Sequence, residues 1–248
     1  MIQGRRVVAL DTADDVAHQA AVEFEVRARA AIDESGRFAV ALSGGKTPGA
    51  LFKLLASPQF AENIDWTLIH FFWSDERCVA PTDDASNYKQ ALDALLAPLA
   101  IAPDSVHRMR GELEPHEGAI AYSDELRAFF GEKLRFDCIY LGLGEDGHTA
   151  SLFPFSEALD AIEDPCIAVH VPNNSIAQWR LTLTYPMINA ARGVIFMADG
   201  AAKAHTLAQV LEGPHDARRL PAQGVAPEHG SLVWLVDRAA AAELRSRI

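Results

Sequence analysis

The sequence predicts an α/β protein whose mostly parallel sheet is covered by helices on both faces. Segments with strand character alternate with helical patterns along the 248-residue chain, an order that is typical of parallel strands joined by helical connections. Many of the predicted strands are also continuous apolar runs, which is typical of strands that are buried on both faces. We find no internal repeat, low-complexity tract or obvious linker, and we expect one domain over residues 1–248.

The first half of the chain supplies three predicted strands with helices between them. The strands are Arg5–Leu10, Phe38–Leu42 and 68–73, and the helices are about 12–36, 48–56, 87–97 and 116–133. Asp11 or Thr12 caps the first helix, because these side chains accept hydrogen bonds from the free N–H groups of a first turn. Asp14 and Asp15 complement the positive end of the helix dipole, and the helix ends near Gly36.

The second half of the chain continues this alternation. Strands are predicted at 136–141, 166–171, 181–184, 194–197 and 232–236, a helix at about 201–211, and an alanine-rich helix at the C-terminal end. Segment 213–230 has proline and glycine at both ends, and we therefore expect it to be the least ordered part of the chain.

Composition excludes several classes of partner. The chain has 22 basic and 34 acidic residues and a net charge of −12, so we expect no nucleic-acid partner. No apolar run approaches the ~18 residues of a membrane span, and the N-terminal stretch turns acidic, unlike a signal peptide.

The cysteines, Cys78, Cys138 and Cys166, are odd in number and widely spaced. They fit reduced thiols in a cytoplasmic protein.

Polar loops follow three of the predicted strands, at the carboxyl ends where parallel sheets bind ligands. The first is 43–48, SGGKTP, in which glycine N–H groups, hydroxyls and a helix N-terminus suit an anion. Val40 stands where a Walker A loop requires glycine, and Pro48 follows Thr47 directly. We therefore interpret the segment as a phosphate-holding loop for a small molecule, with an ordinary strand-to-helix turn as the alternative. Its candidate ligand-binding residues are Ser43, Gly44, Gly45 and Thr47.

The second polar loop places Asp75, Glu76 and Arg77 directly after an apolar strand. Taken alone, the triplet is also consistent with a solvated turn that contains a local ion pair. In the functional interpretation, Arg77 binds an anionic group or a polarised oxygen, and Asp75 orients Arg77 or the hydroxyls of a substrate. Cys78 fits a packed thiol better than a nucleophile.

The third polar loop is the stretch LGLGEDGHTASLFP at 141–154. Three of its glycines match the dinucleotide pattern G-x-G-x-x-G, namely Gly142, Gly144 and Gly147. Glu145 and Asp146 would place negative charge where a pyrophosphate should lie, and Pro154 interrupts the helix that should follow. We therefore interpret the glycines as shaping a tight turn that projects His148.

A further cation, Lys203, lies at the start of the helix predicted at 201–211. A positive charge in the first turn opposes the helix dipole by roughly 0.3–1 kcal/mol. A bound anion would reverse that penalty, whereas an exposed lysine on an amphipathic helix is the alternative explanation.

Together these motifs resemble the 6-phosphogluconolactonase family, which is related to glucosamine-6-phosphate deaminases. The matching stretches are SGGKTP, FFWSDERCVAPTDDASNY, LGLGEDGHTASLFP, RLTLTYPMIN and GAAKAH, and they extend from Ser43 to His205. The resemblance implies a Rossmann-like, three-layer α/β/α fold with a mainly parallel sheet. It also implies hydrolysis of 6-phospho-D-glucono-1,5-lactone, a small phosphorylated sugar lactone, without a metal or organic cofactor.

The resemblance implies the following residue roles. His148 would be the general base that takes a proton from the attacking water, because imidazole titrates close to neutral pH. Asp146 would orient His148 or the sugar, and protonated His148 would return its proton to the ring oxygen. Loop 43–47 would hold the phosphate, with charge from Lys203, Arg180 and Arg77. The oxyanion donors would be either backbone N–H groups of the glycine-rich turns or Arg77.

Two alternatives remain open at this point. An amino-sugar-phosphate isomerase or deaminase would share the phosphate loop and the histidine. In the deaminases, however, the stretch equivalent to 141–154 resembles GPDGHIAFNEP, and its glutamate is absent from TASLFP. A non-catalytic sugar-phosphate sensor would need a DNA-binding module, and no helix-turn-helix pattern precedes Ser43.

We expect no membrane association and either a monomer or a homodimer.

Overall fold

Six parallel strands form the central sheet of the computed structural model, which describes residues 5–171 and 177–245. The strands are β1 (Arg5–Leu10), β2 (Phe38–Leu42), β3 (Ile69–Trp73), β5 (Cys138–Gly142), β8 (Gly193–Ala198) and β9 (Ser231–Asp237). Their order is β1-β9-β8-β5-β2-β3, and each neighbouring pair is parallel. Every residue of β2 and β8 is buried. The predicted parallel α/β sheet is confirmed.

A second, smaller sheet is antiparallel and was only partly predicted. It has the order β4-β7-β6 and consists of β4 (Asp75–Arg77), β6 (Cys166–His170) and β7 (Trp179–Leu183). The sequence indicated the last two as strands, but it assigned residues 75–77 to a loop. Three consecutive charged residues have low strand propensity, so the sequence alone does not predict a strand here. The segment is a strand because its backbone pairs with β7.

Helices cover both faces of the central sheet. They are α1 (Ala13–Ser35), α2 (Lys46–Leu55), α3 (Pro58–Ala61), α4 (Asn87–Ala91), α5 (Pro115–Phe130), α6 (Tyr185–Asn189) and α7 (Ala204–Glu212). On one face, the ring of Phe24 in α1 stacks on Tyr140, whose hydroxyl donates to the carbonyl oxygen of Ala20 over 2.9 Å. On the other face, Phe72 packs edge-on against Phe129 of α5. Each fully buried aromatic side chain contributes roughly 1.5–3 kcal/mol.

The two ends of α1 follow the predicted capping chemistry closely. Thr12 and Asp15 form a reciprocal capping box at the start of α1, and Gly36 closes the helix in the left-handed conformation with φ 78°. Helix α4 is shorter than the predicted 87–97, because the chain widens into a π-helix over Leu92–Leu96. The backbone N–H of Ala97 accordingly donates to the carbonyl oxygen of Leu92.

Two predictions for the last part of the chain are wrong. Segment 213–230 is ordered, because the side chain of Gln223 forms hydrogen bonds to several backbone groups. Its amide nitrogen donates to the carbonyl oxygens of Gln209 and Pro214, and its amide oxygen accepts from the N–H of Asp216. Side-chain hydrogen bonds between residues 7 to 14 positions apart leave no periodic pattern in a sequence. The alanine-rich C-terminal segment forms turns over 238–243 rather than a helix, and residues 246–248 lie outside the described part of the chain.

No helix in residues 5–171 and 177–245 combines the length and apolar character needed to cross a bilayer.

Candidate active site

A cavity of about 370 Å³ lies at the carboxyl ends of β2 and β5. The strand order reverses between these two strands, since β2 leads to β3 at one edge and β5 leads to β8 and β9 towards the other. Ligands of open α/β sheets bind at such a reversal. Seven of the predicted site residues line the cavity: Ser43, Gly44, Asp75, Arg77, His148, Arg180 and Lys203. Segments far apart in the sequence therefore meet at one site.

The imidazole ring of His148 is held in place by Asp146. Its Nδ1 lies 2.5 Å from Oδ1 of Asp146, and its backbone N–H donates to the same oxygen over 3.1 Å. The ring also packs against Phe153, with centroids 4.5 Å apart. Because Asp146 engages Nδ1, Nε2 is the ring nitrogen that is left to exchange a proton with a ligand.

The Asp146 carboxylate is charged at neutral pH. Partial burial raises the pKa of Asp146, but the hydrogen bonds and charge of His148 outweigh it and hold the pKa of this carboxyl below its usual value. A charged carboxylate therefore lies beside Nδ1 of His148.

The glycines of this loop let the His148 ring pack closely on the backbone. A Cβ atom on Gly144 would lie 2.1 Å from Nδ1 of His148, so that no other residue fits without displacing the ring. Gly147 adopts φ 85°, and a Cβ there would lie 2.6 Å from Cδ2 of Leu220. The backbone N–H of Ala222 donates to the carbonyl oxygen of Gly147 over 2.9 Å. Segment 213–230 therefore braces the loop that carries His148.

Asp75 connects the polar loops to one another. Its Oδ2 accepts a 2.7 Å hydrogen bond from the hydroxyl of Ser151, and its Oδ1 accepts a 3.1 Å hydrogen bond from Nδ2 of Asn87. Asp75 is 7% exposed and yet lines the cavity. Both of its oxygens thus accept one hydrogen bond from the protein, and each has a further lone pair that can accept another.

Arg77 and Arg180 lie directly opposite each other on β4 and β7. Like charges at such a cross-strand position destabilise a sheet. Burial and then the charge of Arg77 lower the pKa of Arg180, which nevertheless stays protonated at neutral pH. The Nε atoms of both guanidiniums are buried without a hydrogen-bond partner among the described residues. An anion between the two arginines would relieve this repulsion.

The other predicted anion-binding groups already have partners within the protein. The Ser43 hydroxyl donates to the carbonyl oxygen of Tyr140 over 2.8 Å. The N–H of Gly45 donates to Gln90 over 2.9 Å, and the Thr47 hydroxyl donates to Asp199. Nζ of Lys203 lies 3.9 Å from Oε1 of Glu145, a long contact that leaves the ammonium available to a ligand. Gly45, Thr47 and Asp146 do not line the cavity itself.

Sequence reasoning missed several residues of the site. Asn87, Thr149, Ser151 and Phe153 also line the cavity. Asn87 and Ser151 bind Asp75 across 12 and 76 residues of sequence, and no local signal reports such pairings. A Cβ on Gly44 would lie 1.8 Å from Oδ1 of Asn87, which explains the glycine at this position.

No cysteine of the described residues lines this cavity. All three cysteines are free. Burial, and secondarily the charge of Glu76, raises the pKa of Cys78 to about 11, so that it stays a thiol at neutral pH. Across residues 5–171 and 177–245, no group of three or more His, Cys, Asp or Glu side chains is placed to hold a metal ion.

Fold and site together define an α/β protein with a cavity lined by three cationic side chains beside a histidine–carboxylate pair. Comparison with known proteins narrows this class. The profile of the family described as glucosamine-6-phosphate isomerases/6-phosphogluconolactonase matches residues 11–234. The 6-phosphogluconolactonase of Nostoc sp. is 42% identical over 219 residues, which are 86% of this chain and 88% of that protein. The chain belongs to the glucosamine-6-phosphate isomerase/6-phosphogluconolactonase family.

Solved structures show the same architecture. The 6-phosphogluconolactonase from Trypanosoma cruzi superposes with a TM-score of 0.87 at 26% identity, over 99% of each chain. A monomeric glucosamine-6-phosphate deaminase superposes with a TM-score of 0.82 at 20% identity, over 96% of this chain and 99% of its own. The second likeness concerns the fold alone, so the choice between the two activities depends on the site.

Proposed function

We propose that this protein hydrolyses 6-phospho-D-glucono-1,5-lactone to 6-phospho-D-gluconate in the oxidative pentose phosphate pathway, and its relatives named 6-phosphogluconolactonase support the proposal. The observation that carries the proposal is His148, which Asp146 holds through Nδ1 and which lines one cavity with Arg77, Arg180 and Lys203. The cations suit the phosphate group, and the histidine suits activation of water.

In the proposed reaction, Nε2 of His148 takes a proton as a water oxygen attacks the lactone carbonyl carbon. Asp146 holds the ring through Nδ1 and stabilises the imidazolium that forms. The tetrahedral intermediate then collapses, and the bond between the carbonyl carbon and the ring oxygen breaks. His148 gives its proton to the departing ring oxygen, which becomes a hydroxyl group, so that the protein returns to its starting state.

The phosphate in this proposal is bound by Arg180 and Lys203 together with backbone N–H groups of loop 43–47. Arg77 is the cation that either completes the phosphate site or stabilises the oxyanion. The carboxylate of Asp75 accepts hydrogen bonds from sugar hydroxyls, since its own protein donors occupy only part of its acceptor capacity. Charge-assisted contacts of this kind orient the lactone carbonyl towards His148.

The site favours the lactonase over the deaminase. Asp75 is the only carboxylate among the described residues that line the cavity, and Ser151 and Asn87 already bind its oxygens. Residues 149–154 contain no acidic side chain. A deaminase needs a further acid–base group to open and isomerise its amino sugar, and this loop does not offer one.

The test is an assay in which 6-phosphogluconolactone is generated in situ and its conversion to 6-phosphogluconate is followed. The spontaneous rate must be subtracted, because such lactones also open in water unaided. Acceleration well above this rate supports the proposal. No acceleration, combined with release of ammonia from glucosamine 6-phosphate, would replace the lactonase with the deaminase.

Replacing Asp146 with asparagine should lower kcat. The Asp146 carboxylate is ionised above its lowered pKa and is bonded to Nδ1 of His148. We expect kcat to fall about tenfold, because a neutral hydrogen bond replaces a charge-assisted one. The lactone assay at saturating substrate and neutral pH measures kcat, and a kcat equal to that of the wild type would contradict this role.

Replacing Gly144 with alanine should displace the His148 ring. The added methyl carbon would lie 2.1 Å from Nδ1 of His148 and 2.6 Å from Oδ1 of Asp146, so the pair must move. Displacement of a catalytic group by about 1 Å costs on the order of 10²-fold in rate, and we expect kcat to fall by that amount. Thermal unfolding separates this local effect from loss of the fold. Turnover like that of the wild type would show that the ring position is not critical.

A further inference from the structure

The side chain of Gln90 is bonded to the phosphate loop at two points. The backbone N–H of Gly45 donates to Oε1 of Gln90 over 2.9 Å, and Nε2 of Gln90 donates to the carbonyl oxygen of Gly45 over 2.7 Å. A side-chain amide that binds both polar groups of one residue fixes that residue in position and orientation. Gln90 is half-buried and lies outside the cavity that contains His148.

The loop is built to accept this amide. Gly45 has φ 116° and ψ −177°, a conformation that L side chains rarely adopt. A Cβ atom on Gly49 would lie 2.7 Å from Nε2 of Gln90, so the glycine leaves the space that the amide occupies. The carbonyl oxygen of Gly45 also accepts from the N–H of Gly49 over 3.1 Å and so begins α2. Gln90 thus fixes the N-terminus of α2 as well as the loop.

The helix that carries Gln90 is itself anchored to the second sheet. The buried carboxylate of Glu76 accepts 2.8 Å hydrogen bonds from the N–H groups of Asn87 and Tyr88, at the start of α4. Glu76 stands between Asp75 and Arg77 on β4. Helix α4 is therefore a rigid connection between the strand that carries Arg77 and the loop that begins at Ser43.

We propose that Gln90 is a positioning residue that sets loop 43–47 and the N-terminus of α2 for the phosphate group of the substrate. This inference rests on the proposed function. Gln90 uses the N–H of Gly45, so the phosphate contacts fall to the neighbouring donors, among which Gly44 lines the cavity. Gln90 acts on phosphate affinity through the loop and takes no part in the reaction at the lactone carbonyl.

Replacing Gln90 with alanine should therefore raise KM and leave kcat nearly unchanged. We expect KM for the phosphorylated lactone to rise about tenfold, in keeping with the loss of two hydrogen bonds that order the site. Isothermal titration calorimetry with 6-phospho-D-gluconate should show a similar loss of affinity. Lys89→Ala is the matched control, because Lys89 lies on the same short helix but pairs with Asp84 and Asp93. Its KM should equal that of the wild type.

The isosteric variant Gln90→Glu gives a second readout. A protonated glutamic acid can donate to the carbonyl oxygen of Gly45 and accept from its N–H, as glutamine does. An ionised one cannot donate, and it adds negative charge beside the phosphate loop. The ratio of KM between this variant and the wild type should therefore rise from pH 5 to pH 8. A ratio that does not change with pH would contradict the positioning role.

The outcomes separate this inference from the proposed function. Wild-type turnover tests the function, whereas the properties of the Gln90 variants relative to the wild type test the positioning role. An unchanged KM and affinity in Gln90→Ala, or a fall in kcat as large as the rise in KM, would overturn the role. A wild-type protein that neither hydrolyses the lactone nor binds 6-phospho-D-gluconate would reject both.

Discussion

Replacing His148 with alanine should lower kcat by about 10²- to 10⁴-fold, the usual contribution of a positioned general acid–base group. In the proposed reaction, the imidazole of His148 takes the proton from water and returns it to the ring oxygen of the lactone, so its loss affects both steps. KM should change little, because Arg180 and Lys203, the proposed phosphate-binding groups, lie on other elements of the fold. The lactone assay with subtraction of spontaneous hydrolysis measures both quantities.

The matched control for this variant is His205→Ala. His205 lies on α7, is exposed, and pairs with Glu243 and Gln209 rather than with any group at the cavity. Its loss should leave kcat unaltered. If His148→Ala retained turnover close to that of the wild type, the base would have to be sought elsewhere, and Asp75 would be the first group to consider.

Replacing Arg180 with methionine should raise KM by roughly 10- to 100-fold, because charge-assisted hydrogen bonds are each worth about 1.5–3 kcal/mol. Methionine fills a similar volume on β7 without the charge. Arg180→Lys keeps the charge but loses the planar fork that matches phosphate, and its KM should lie between those of the wild type and the methionine variant. This ordering distinguishes lost recognition from a general disturbance of the second sheet.

Arg29→Met is the control for Arg180, since Arg29 lies exposed on α1 and pairs only with Glu25 among the described residues. Thermal unfolding of both variants shows whether the fold is intact. A KM for Arg180→Met within about twofold of the wild type would exclude Arg180 from the phosphate site. The cross-strand pair of arginines would then need another explanation.

The parts of the fold that could be predicted from sequence are those that local patterns determine. The apolar runs of β2 and β8 and the Thr12–Asp15 capping box are complete within a few residues. The His148 loop was also recognisable, because its glycines and polar side chains are contiguous. Most of the predicted site residues therefore do meet at one cavity.

The features that escaped prediction depend on contacts between distant residues. Strand β4 exists because β7 pairs with it, and Ser151 reaches Asp75 across 76 residues of sequence. Gln90 binds Gly45, which lies 45 residues away in the sequence, and neither a glutamine nor a glycine indicates such a contact by itself. The C-terminal segment has the alanine content of a helix, yet it forms turns that start at Asp237, whose Oδ1 accepts from the N–H of Ala240. Tertiary hydrogen bonds there override helix propensity.

The position of β9 determines when the native sheet can form during synthesis. This strand, which is made last of those described, lies between β8 and the first strand, β1. Among the described strands, β1 pairs only with β9. Strand β1 therefore cannot join the sheet until residues 231–237 have left the ribosome. Until then, β8 presents an open edge that can pair with other nascent chains. The arrangement makes completion of the sheet a late, cooperative event and places the risk of aggregation in the interval before it.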